Sequence, residues 1–295
     1  MKKRIIQTIS LSLALLIWAG CAKQEESSSK AIQSFEVKGV LLRIESEGRT
    51  LVIDHEEITG YMGAMTMPFR VKDVSESEKA QPGDEISFTY KVAEYKSWVE
   101  GIEPTGKTRE LKSPTAPPDP TNKLLKVGDL FPDFRLSDEN GSPVQLNDHR
   151  GQVVALTFIF TRCPVPEYCP AMMRNFSSVE KLLKTDPDVA NKFKLLTVSF
   201  DSDYDTPEIM KAYGEQFGKS SKNWSLLTSP ETKDIRSLGE SVGLMFGKND
   251  SAIYTHNLRT VVIDAQGRIA KIFTDESWKP EELVAAIKLA GKEVE

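Results

Sequence analysis

The sequence predicts two domains in series, a small β-barrel of OB-like type followed by an α/β domain with a mixed sheet. Residues 35–102 consist of short alternating apolar runs separated by turn residues, and no helical period persists among them. Residues 103–123 carry five prolines and almost nothing apolar, which is typical of a domain boundary. Strand and helix patterns then alternate and end in a hairpin and a helix, which is the order expected of a mixed α/β sheet.

The first residues predict export. Three basic residues at positions 2–4 precede an apolar run from Ile9 to Ala19, which is shorter than the roughly 20 residues of a membrane span. Small residues before Cys21 resemble a lipoprotein signal, so we interpret residues 1–21 as a lipoprotein-type signal peptide with Cys21 as the lipidated residue. An ordinary cleaved signal and an uncleaved anchor are the alternatives. Each places the protein at a membrane, facing the periplasm or the extracellular side.

The charge of the chain argues against nucleic acid as a partner. The sequence has 38 basic and 43 acidic residues, and three of the basic ones lie in the signal, so the mature chain has a formal net charge of −8. An acidic surface repels the phosphate backbone.

The composition gives the domain boundaries. Residues 22–33 are polar and rich in serine, which suits a flexible tether. We assign residues 34–103 to the barrel, 104–123 to a semi-rigid proline-rich linker, and 124–295 to the α/β domain.

Each element of the second domain is predicted from its apolar pattern. Residues 151–161 form a continuous apolar run, as a strand buried on both faces does. Residues 170–186 repeat apolar side chains at helical spacing and start with proline, which favours the first position of a helix. The remaining predictions are a strand at 193–201, a helix capped by Thr206, a hairpin from LRTVVID to RIAKIFT, and a closing helix in PEELVAAIKLAG.

The stretch CPVPEYCP contains both cysteines of the mature chain, Cys163 and Cys169. A disulfide between them would close a very small loop and add little stability, so a structural staple is the weakest interpretation. Cys169 directly precedes Pro170, the predicted first residue of a helix, and the positive end of a helix lowers the pKa of a nearby thiol. A redox pair and half of a metal site both remain open.

The second domain resembles the Sco/SenC family of thioredoxin-fold copper proteins over residues 124–290. The resemblance rests on VGDLFPDFRLSDENG, FTRCPVPEYCPAMM, SFDSDYDTPEIMKAY and THNLRTVVIDAQGR. It implies a thioredoxin-like fold and a copper site formed by Cys163, Cys169 and His256. Two thiolates and an imidazole suit copper in either oxidation state. Family members commonly have three residues between the cysteines, and this chain has five.

Other candidate groups in this domain receive structural interpretations. His149 lies in a turn and is interpreted as a surface or structural residue. Asp201, Asp203 and Asp205 precede a predicted helix, so we interpret them as its starting turn rather than a hard-metal loop. Thioredoxin-like reductants usually have a proline just before the strand that faces their cysteines, and YTHNLRTVV has none, which favours metal binding over disulfide exchange.

A second candidate site lies in HEEITGYMGAMTMPF of the first domain. Methionines ordinarily fill gaps in a core, but here three fall within six residues, beside a histidine. Met65 and Met67 point to the same face of a strand, and thioethers with an imidazole suit Cu(I). The stretch is similar to CusF-like periplasmic copper-binding domains, which implies His55, Met65 and Met67 as ligands. Met62 is a further candidate.

The combined interpretation is an extracytoplasmic copper metallochaperone without catalytic turnover. The Sco/SenC resemblance implies a cytochrome c oxidase subunit as its customer, at the CuA or CuB centre, although another cuproenzyme is an alternative. We expect copper to pass from the methionine site to the cysteine site, with the linker setting how often the two meet. One alternative function is a thiol-disulfide reductase, with Cys163 and Cys169 as its redox-active pair. Another is copper sequestration for tolerance.

Overall fold

The structure, a computed structural model, describes residues 31–111 and 124–292, apart from 188, 190–191, 220 and 249–253. The predicted signal with Cys21, most of the predicted tether and residues 112–123 of the predicted linker lie outside these ranges. Within the described residues, no helix has both the length and the apolar character needed to span a membrane.

The first domain is a five-stranded antiparallel sheet. Its strands are β1 (Gln33–Glu45), β2 (Thr50–His55), β3 (Met65–Arg70), β4 (Asp84–Val92) and β5 (Ser97–Thr108), in the spatial order β3-β2-β1-β4-β5. A parallel bridge between Val71 and Val99 joins the ends of the outer strands. This arrangement is consistent with the predicted OB-like barrel.

Two strands run past the predicted limits of this domain. Strand β1 begins at Gln33, which the sequence assigned to the tether, and β5 continues to Thr108, five residues into the predicted linker. Strand β5 continues because the long strand β4 stays paired with it on both sides of two register irregularities. Between these irregularities Ile86 is paired with Pro104. Proline is tolerated there because β5 lies at the edge of the sheet order.

Gly39 allows β1 and β2 to approach closely beside His55. Gly39 is paired with His55, and a Cβ atom at residue 39 would lie 2.6 Å from Ile53 Cγ2 and 2.8 Å from the His55 Cα. We therefore expect Gly39→Ala to destabilise the barrel by about 1–3 kcal/mol through overpacking, measured by denaturant unfolding. Gly247→Ala is the matched control, because no heavy atom lies within 4 Å of its Cβ position. Equal stability of the two variants would contradict the close approach.

The second domain is built on a seven-stranded mixed sheet. Its spatial order is β14-β13-β8-β9-β10-β6-β7, and the central strands β8, β9 and β10 are parallel. The strands are β6 (Arg135–Asp138), β7 (Pro143–Gln145), β8 (Val153–Ile159), β9 (Phe193–Ser199), β10 (Trp224–Thr228), β13 (Thr260–Ile263) and β14 (Ile269–Phe273). A separate two-stranded sheet pairs β11 (Phe246–Lys248) with β12 (Tyr254–His256).

The described residues of this domain form four α-helices, namely α1 (Cys169–Lys184), α2 (Pro207–Gln216), α3 (Thr232–Ser241) and α4 (Pro280–Lys292). Thr206 caps α2 as predicted, since its side chain accepts a hydrogen bond from the Ile209 N–H. Strand β8 is buried along its whole length, as its continuous apolar run indicates. The two domains belong to one compact unit.

Candidate metal centre

Cys163, Cys169 and His256 lie together at one end of the mixed sheet. Cys163 is in the loop that follows β8, Cys169 is the first residue of α1, and His256 ends β12. Their sulfur and ring nitrogen atoms all lie within 4.8 Å of one another. Both thiols are buried and not disulfide-bonded, and the imidazole is half-buried. The three side chains that the resemblance implied are therefore brought to one point.

The imidazole of His256 presents its Nε2 atom to the thiols. Its Nδ1 atom is 2.8 Å from the Asn257 carbonyl oxygen, so Nδ1 carries the hydrogen and donates it. The free lone pair then lies on Nε2, 3.8 Å from the Cys169 sulfur. The rings of Phe160 and Phe200 pack around the imidazole, at centroid distances of 5.5 and 4.9 Å. A second-sphere hydrogen bond of this kind fixes the tautomer that binds metal.

The two thiols differ in acidity, and in the opposite sense from the sequence prediction. Burial raises the pKa of the Cys169 thiol well above its ordinary value, and the neighbouring Cys163 raises it further. For Cys163, burial acts in the same direction, but the neighbouring Cys169 thiol and His256 ring outweigh it and hold the pKa well below its ordinary value. The expected effect of the helix terminus on Cys169 is overcome because the sulfur is completely buried beside a second thiol.

Two buried carboxylates that the sequence analysis assigned only to a turn support the cysteine loop. Asp205 accepts hydrogen bonds from the Thr161 N–H at 3.0 Å, from the Thr161 hydroxyl and from the Ser199 hydroxyl. Asp201 accepts from the Arg162 guanidinium at 2.9 Å. The spacing of these aspartates gave no signal, because their partners come from β9 and from the loop after β8.

Removal of the Asp205 carboxylate should loosen the loop that carries Cys163. We expect Asp205→Ala to lower the free energy of unfolding by about 3 kcal/mol, because it leaves buried donors of Thr161 and Ser199 without an acceptor. Copper affinity at the thiol group should fall with it. Denaturant unfolding and a Cu(I) competition titration measure the two effects. The exposed neighbour Asp203→Ala is the control and should stay within about 0.5 kcal/mol; equal effects would refute the supporting role.

The candidate ligands of the first domain lie on two paired strands. His55 of β2 is directly opposite Met65 of β3, and Met67 follows on the same face. Side chains opposite each other in such a pair have Cβ atoms about 5 Å apart, within joint reach of one metal ion. Met62 lies outside the strands, in a turn bridged to Ile58. All four candidates are buried.

The His55 ring has an unused nitrogen. Its Nδ1 atom is 2.7 Å from the Glu56 carbonyl oxygen, whereas Nε2 is buried and has no hydrogen-bond partner among the residues that the structure describes. Burial lowers the pKa of His55, so the ring is neutral and Nε2 keeps its lone pair. A buried polar atom without a partner is costly. A soft metal ion bound between Nε2 and the thioethers would satisfy it, so these residues fit copper.

One cavity of about 570 Å³ is lined by candidate ligands from both domains. Met65 and Met67 contribute from the barrel, and Cys163 and His256 contribute from the second domain. His55 and Met62 are not among its lining residues. This shared cavity could not be predicted from local sequence patterns, because it depends on contacts between residues about 100 positions apart.

Comparison with protein families assigns a type to each domain. Residues 123–291 match the family model described as SCO1/SenC, and residues 34–104 match the model described as copper binding periplasmic protein CusF. Both predicted resemblances are therefore confirmed. The copper prediction is confirmed at this level, since the chain carries a domain of a copper-binding type and a Cys–Cys–His group able to hold a metal ion.

Three relatives show how far the similarity extends. The chain is 29% identical over 103 residues to the SCO1 protein homolog of Bacillus subtilis, which covers 35% of this chain and half of that protein. It is 27% identical over 156 residues to a SCO2-like protein of Rickettsia typhi, covering 50% of this chain and 70% of the other. It is also 28% identical over 152 residues to peroxiredoxin Bcp of Escherichia coli, covering 51% and 86%.

Solved structures confirm the fold of the second domain. A SCO1/SenC family lipoprotein of Bacillus anthracis is 26% identical with a TM-score of 0.50, over 57% of this chain and 99% of the other. BsSco, a member of the Sco family of cytochrome c oxidase assembly proteins, has a TM-score of 0.50 at 21% identity, over 58% of this chain and 98% of the other. The CusF match and the lipoprotein neighbour indicate an extracytoplasmic location.

Proposed function

We propose that this chain is an extracytoplasmic metallochaperone that receives copper and delivers it to a cuproenzyme. The chain belongs to the SCO1/SenC family, which supports the proposal. The observation that carries the proposal is the group formed by Cys163, Cys169 and His256, whose donor atoms converge within 4.8 Å. Thiolates bind copper tightly and exchange ligands readily, which suits a carrier. In this function copper is cargo and the protein has no catalytic turnover.

The two domains hold copper through different donor sets. We assign Cys163, Cys169 and His256 to the site of the second domain, and His55, Met65 and Met67 to the barrel, with Met62 as a further candidate ligand. The unpartnered His55 Nε2 atom supports the barrel assignment. Uncharged thioethers favour Cu(I), whereas thiolates with an imidazole accept either oxidation state.

The customer we propose is the CuA or CuB centre of cytochrome c oxidase. This assignment rests on family membership and on the description of BsSco as belonging to a family of cytochrome c oxidase assembly proteins. We also propose that Cys21 is lipidated, which would hold the protein on the outer face of a membrane, where such a customer lies.

A deletion strain complemented with variants tests the delivery function. Wild type should restore the copper content and activity of the oxidase, and Cys163→Ser, Cys169→Ser should not. Excess copper in the medium should partly bypass the loss, since it replaces delivery. Normal oxidase activity in the deletion strain, combined with greater copper sensitivity, would refute delivery and support sequestration instead.

Thiol-disulfide exchange is the second candidate function. It is supported by two adjacent free thiols whose pKa values are shifted in opposite directions, and by the similarity to a peroxiredoxin. The variant His256→Ala separates the functions, because it removes a metal ligand and keeps both thiols. A reductase should keep activity toward a disulfide substrate in this variant once the pH is raised to restore the Cys163 thiolate, whereas a chaperone should lose copper affinity and delivery together.

A further inference from the structure

The loop between the two cysteines contacts the barrel. The Tyr61 hydroxyl of the barrel donates a hydrogen bond to the Pro164 carbonyl oxygen at 2.5 Å. In the opposite direction, the Tyr168 hydroxyl donates to the Pro68 carbonyl oxygen of β3 at 3.3 Å. Pro164 and Tyr168 are the first and last residues of the loop, so both of its ends are attached to the barrel.

The carboxyl group of Glu167 makes a third contact from the same loop. One of its oxygens accepts hydrogen bonds from the Ser97 hydroxyl at 2.6 Å and from the Ser97 N–H at 3.1 Å. Ser97 begins β5 and is buried. Two hydrogen bonds to one carboxyl oxygen fix both the orientation of the Glu167 side chain and its distance from Ser97. Glu167 therefore holds the loop to the barrel at a defined position.

Two contacts outside the loop continue the same interface. Arg70 of β3 forms an ion pair with Glu276. The Arg174 guanidinium of α1 lies 5.0 Å from the centre of the Tyr95 ring and also donates to the Pro166 carbonyl oxygen at 2.7 Å. Arg174 thus binds both the loop and the barrel.

Both donor groups contribute side chains to one cavity. Strand β12, which ends in His256, lies beside β3, which carries Met65 and Met67. The sulfur of Cys163 and both methionines line the cavity between them. A copper ion leaving the thioethers would therefore enter a space that the Cys163 thiol and His256 also line.

We propose that the loop between the cysteines is a docking element for the barrel, and that copper passes between the two donor groups through the cavity that both of them line. This inference rests on the proposed copper function and adds how the two sites communicate. The loop combines two tasks, since the metal ligands Cys163 and Cys169 flank it and its own residues bind the barrel. Communication depends on a docked interface, rather than on chance encounters set by the linker.

The transfer is a ligand exchange without electron transfer. Cu(I) keeps its oxidation state while its bonds to His55, Met65 and Met67 break and bonds to Cys163, Cys169 and His256 form. Any thiol hydrogen still present on the cysteine pair is released as a proton to the solvent. The direction follows from charge, because anionic thiolates bind Cu(I) more tightly than neutral thioethers.

Docking is tested in the full chain with methyl-labelled methionine and Cu(II) as a paramagnetic probe. Cu(II) at the cysteine site should broaden the methyl signals of Met172 and Met173, which lie on the first turn of α1. If the barrel is docked, the signals of Met65 and Met67 should broaden as well. The barrel-side variant combines Tyr61→Phe, Arg70→Ala and Ser97→Ala. In this variant the methyl signals of Met65 and Met67 should become sharp again, whereas those of Met172 and Met173 should stay broadened.

The readout separates failure of the docking proposal from failure of the copper proposal. If Met172 and Met173 do not broaden, copper is not at the cysteine site and the proposed function is wrong. If they broaden while Met65 and Met67 stay sharp in the wild type, copper binds but the barrel is not docked. If the methyl spectrum shows that the barrel-side variant is misfolded, Glu167→Ala, Glu276→Ala removes the Ser97 and Arg70 contacts from the other side.

Transfer is tested by partition against a chelator. The cysteines are first oxidised to a disulfide, one equivalent of Cu(I) is loaded on the barrel, and a phosphine is then added with excess bathocuproine disulfonate. In the wild type, copper should appear at the thiolates, seen by thiolate-to-copper absorption. In the barrel-side variant the ratio of transferred to trapped copper should fall at least roughly tenfold, as expected for losing several hydrogen bonds and an ion pair.

Ser87→Ala is the matched control for transfer. Its hydroxyl belongs to the same barrel but donates to the Glu103 carbonyl oxygen within it, at 3.4 Å. It should partition as the wild type does. An unchanged ratio in the barrel-side variant, with copper still reaching the thiolates, would overturn the docking role and return transfer to linker-limited encounters.

Discussion

The double variant Cys163→Ser, Cys169→Ser is expected to bind one Cu(I) per chain, whereas the wild type should bind two. The expected loss is large because the variant removes both thiolates, the strongest soft donors in the second domain, and leaves His256 alone. Total copper per chain, measured anaerobically after removal of unbound metal, gives the result. His256→Ala should weaken the site less than either cysteine variant, because an imidazole is the weaker donor for Cu(I).

Folding must be separated from metal binding in this experiment. Cys169 is completely buried, so a serine hydroxyl at that position lacks water and costs about 1–3 kcal/mol if it finds no partner. The corresponding double alanine variant introduces no hydroxyl and serves as the second test. Two copper ions bound to either folded variant would show that the cysteines are not the ligands.

The second large effect is expected in the barrel. Met65→Leu, Met67→Leu should abolish Cu(I) binding at the barrel and leave the copper of the cysteine site in place. Leucine has nearly the volume of methionine, so each substitution should cost less than about 1.5 kcal/mol of stability. The loss of copper would then report the thioethers rather than a damaged core.

Competition titration with a Cu(I) chelator measures this effect. Met210→Leu is the matched control, because Met210 is equally buried but lies on α2, outside the proposed sites. It should bind copper as the wild type does. Cu(II) titration in air should fill the barrel poorly in every variant. If Cu(I) saturated the barrel of the double leucine variant as readily as that of the wild type, these methionines would only fill the core.

Local patterns in the sequence were sufficient to predict the fold class. The continuous apolar run of β8 and the proline at the start of α1 are properties of neighbouring residues, and both elements form where they were expected. The hairpin of β13 and β14 also follows its prediction. Strand β10, helix α3 and the small β11–β12 sheet were not predicted, because short elements carry little periodicity.

The convergence of Cys163, Cys169 and His256 came from a family resemblance, since no local pattern relates residues 87 positions apart. Their electrostatics could not be predicted in the same way. The pKa of Cys169 depends on complete burial and on a second thiol, neither of which is visible in the spacing to Pro170. Contacts between the barrel and the cysteine loop were equally inaccessible, because Tyr61 and Ser97 look like ordinary barrel residues in the sequence.

The length of the loop between the cysteines should correlate, across related chains, with the presence of the barrel domain. If its interior residues serve the barrel, then its length and its contact residues should have been acquired together with the barrel gene segment. SCO1/SenC chains fused to a CusF-type domain should carry a five-residue loop with an acidic residue at the position of Glu167. Chains without such a domain gain nothing from that residue and should keep the shorter loop. The spacing of two cysteines would then record a domain fusion in the history of the gene.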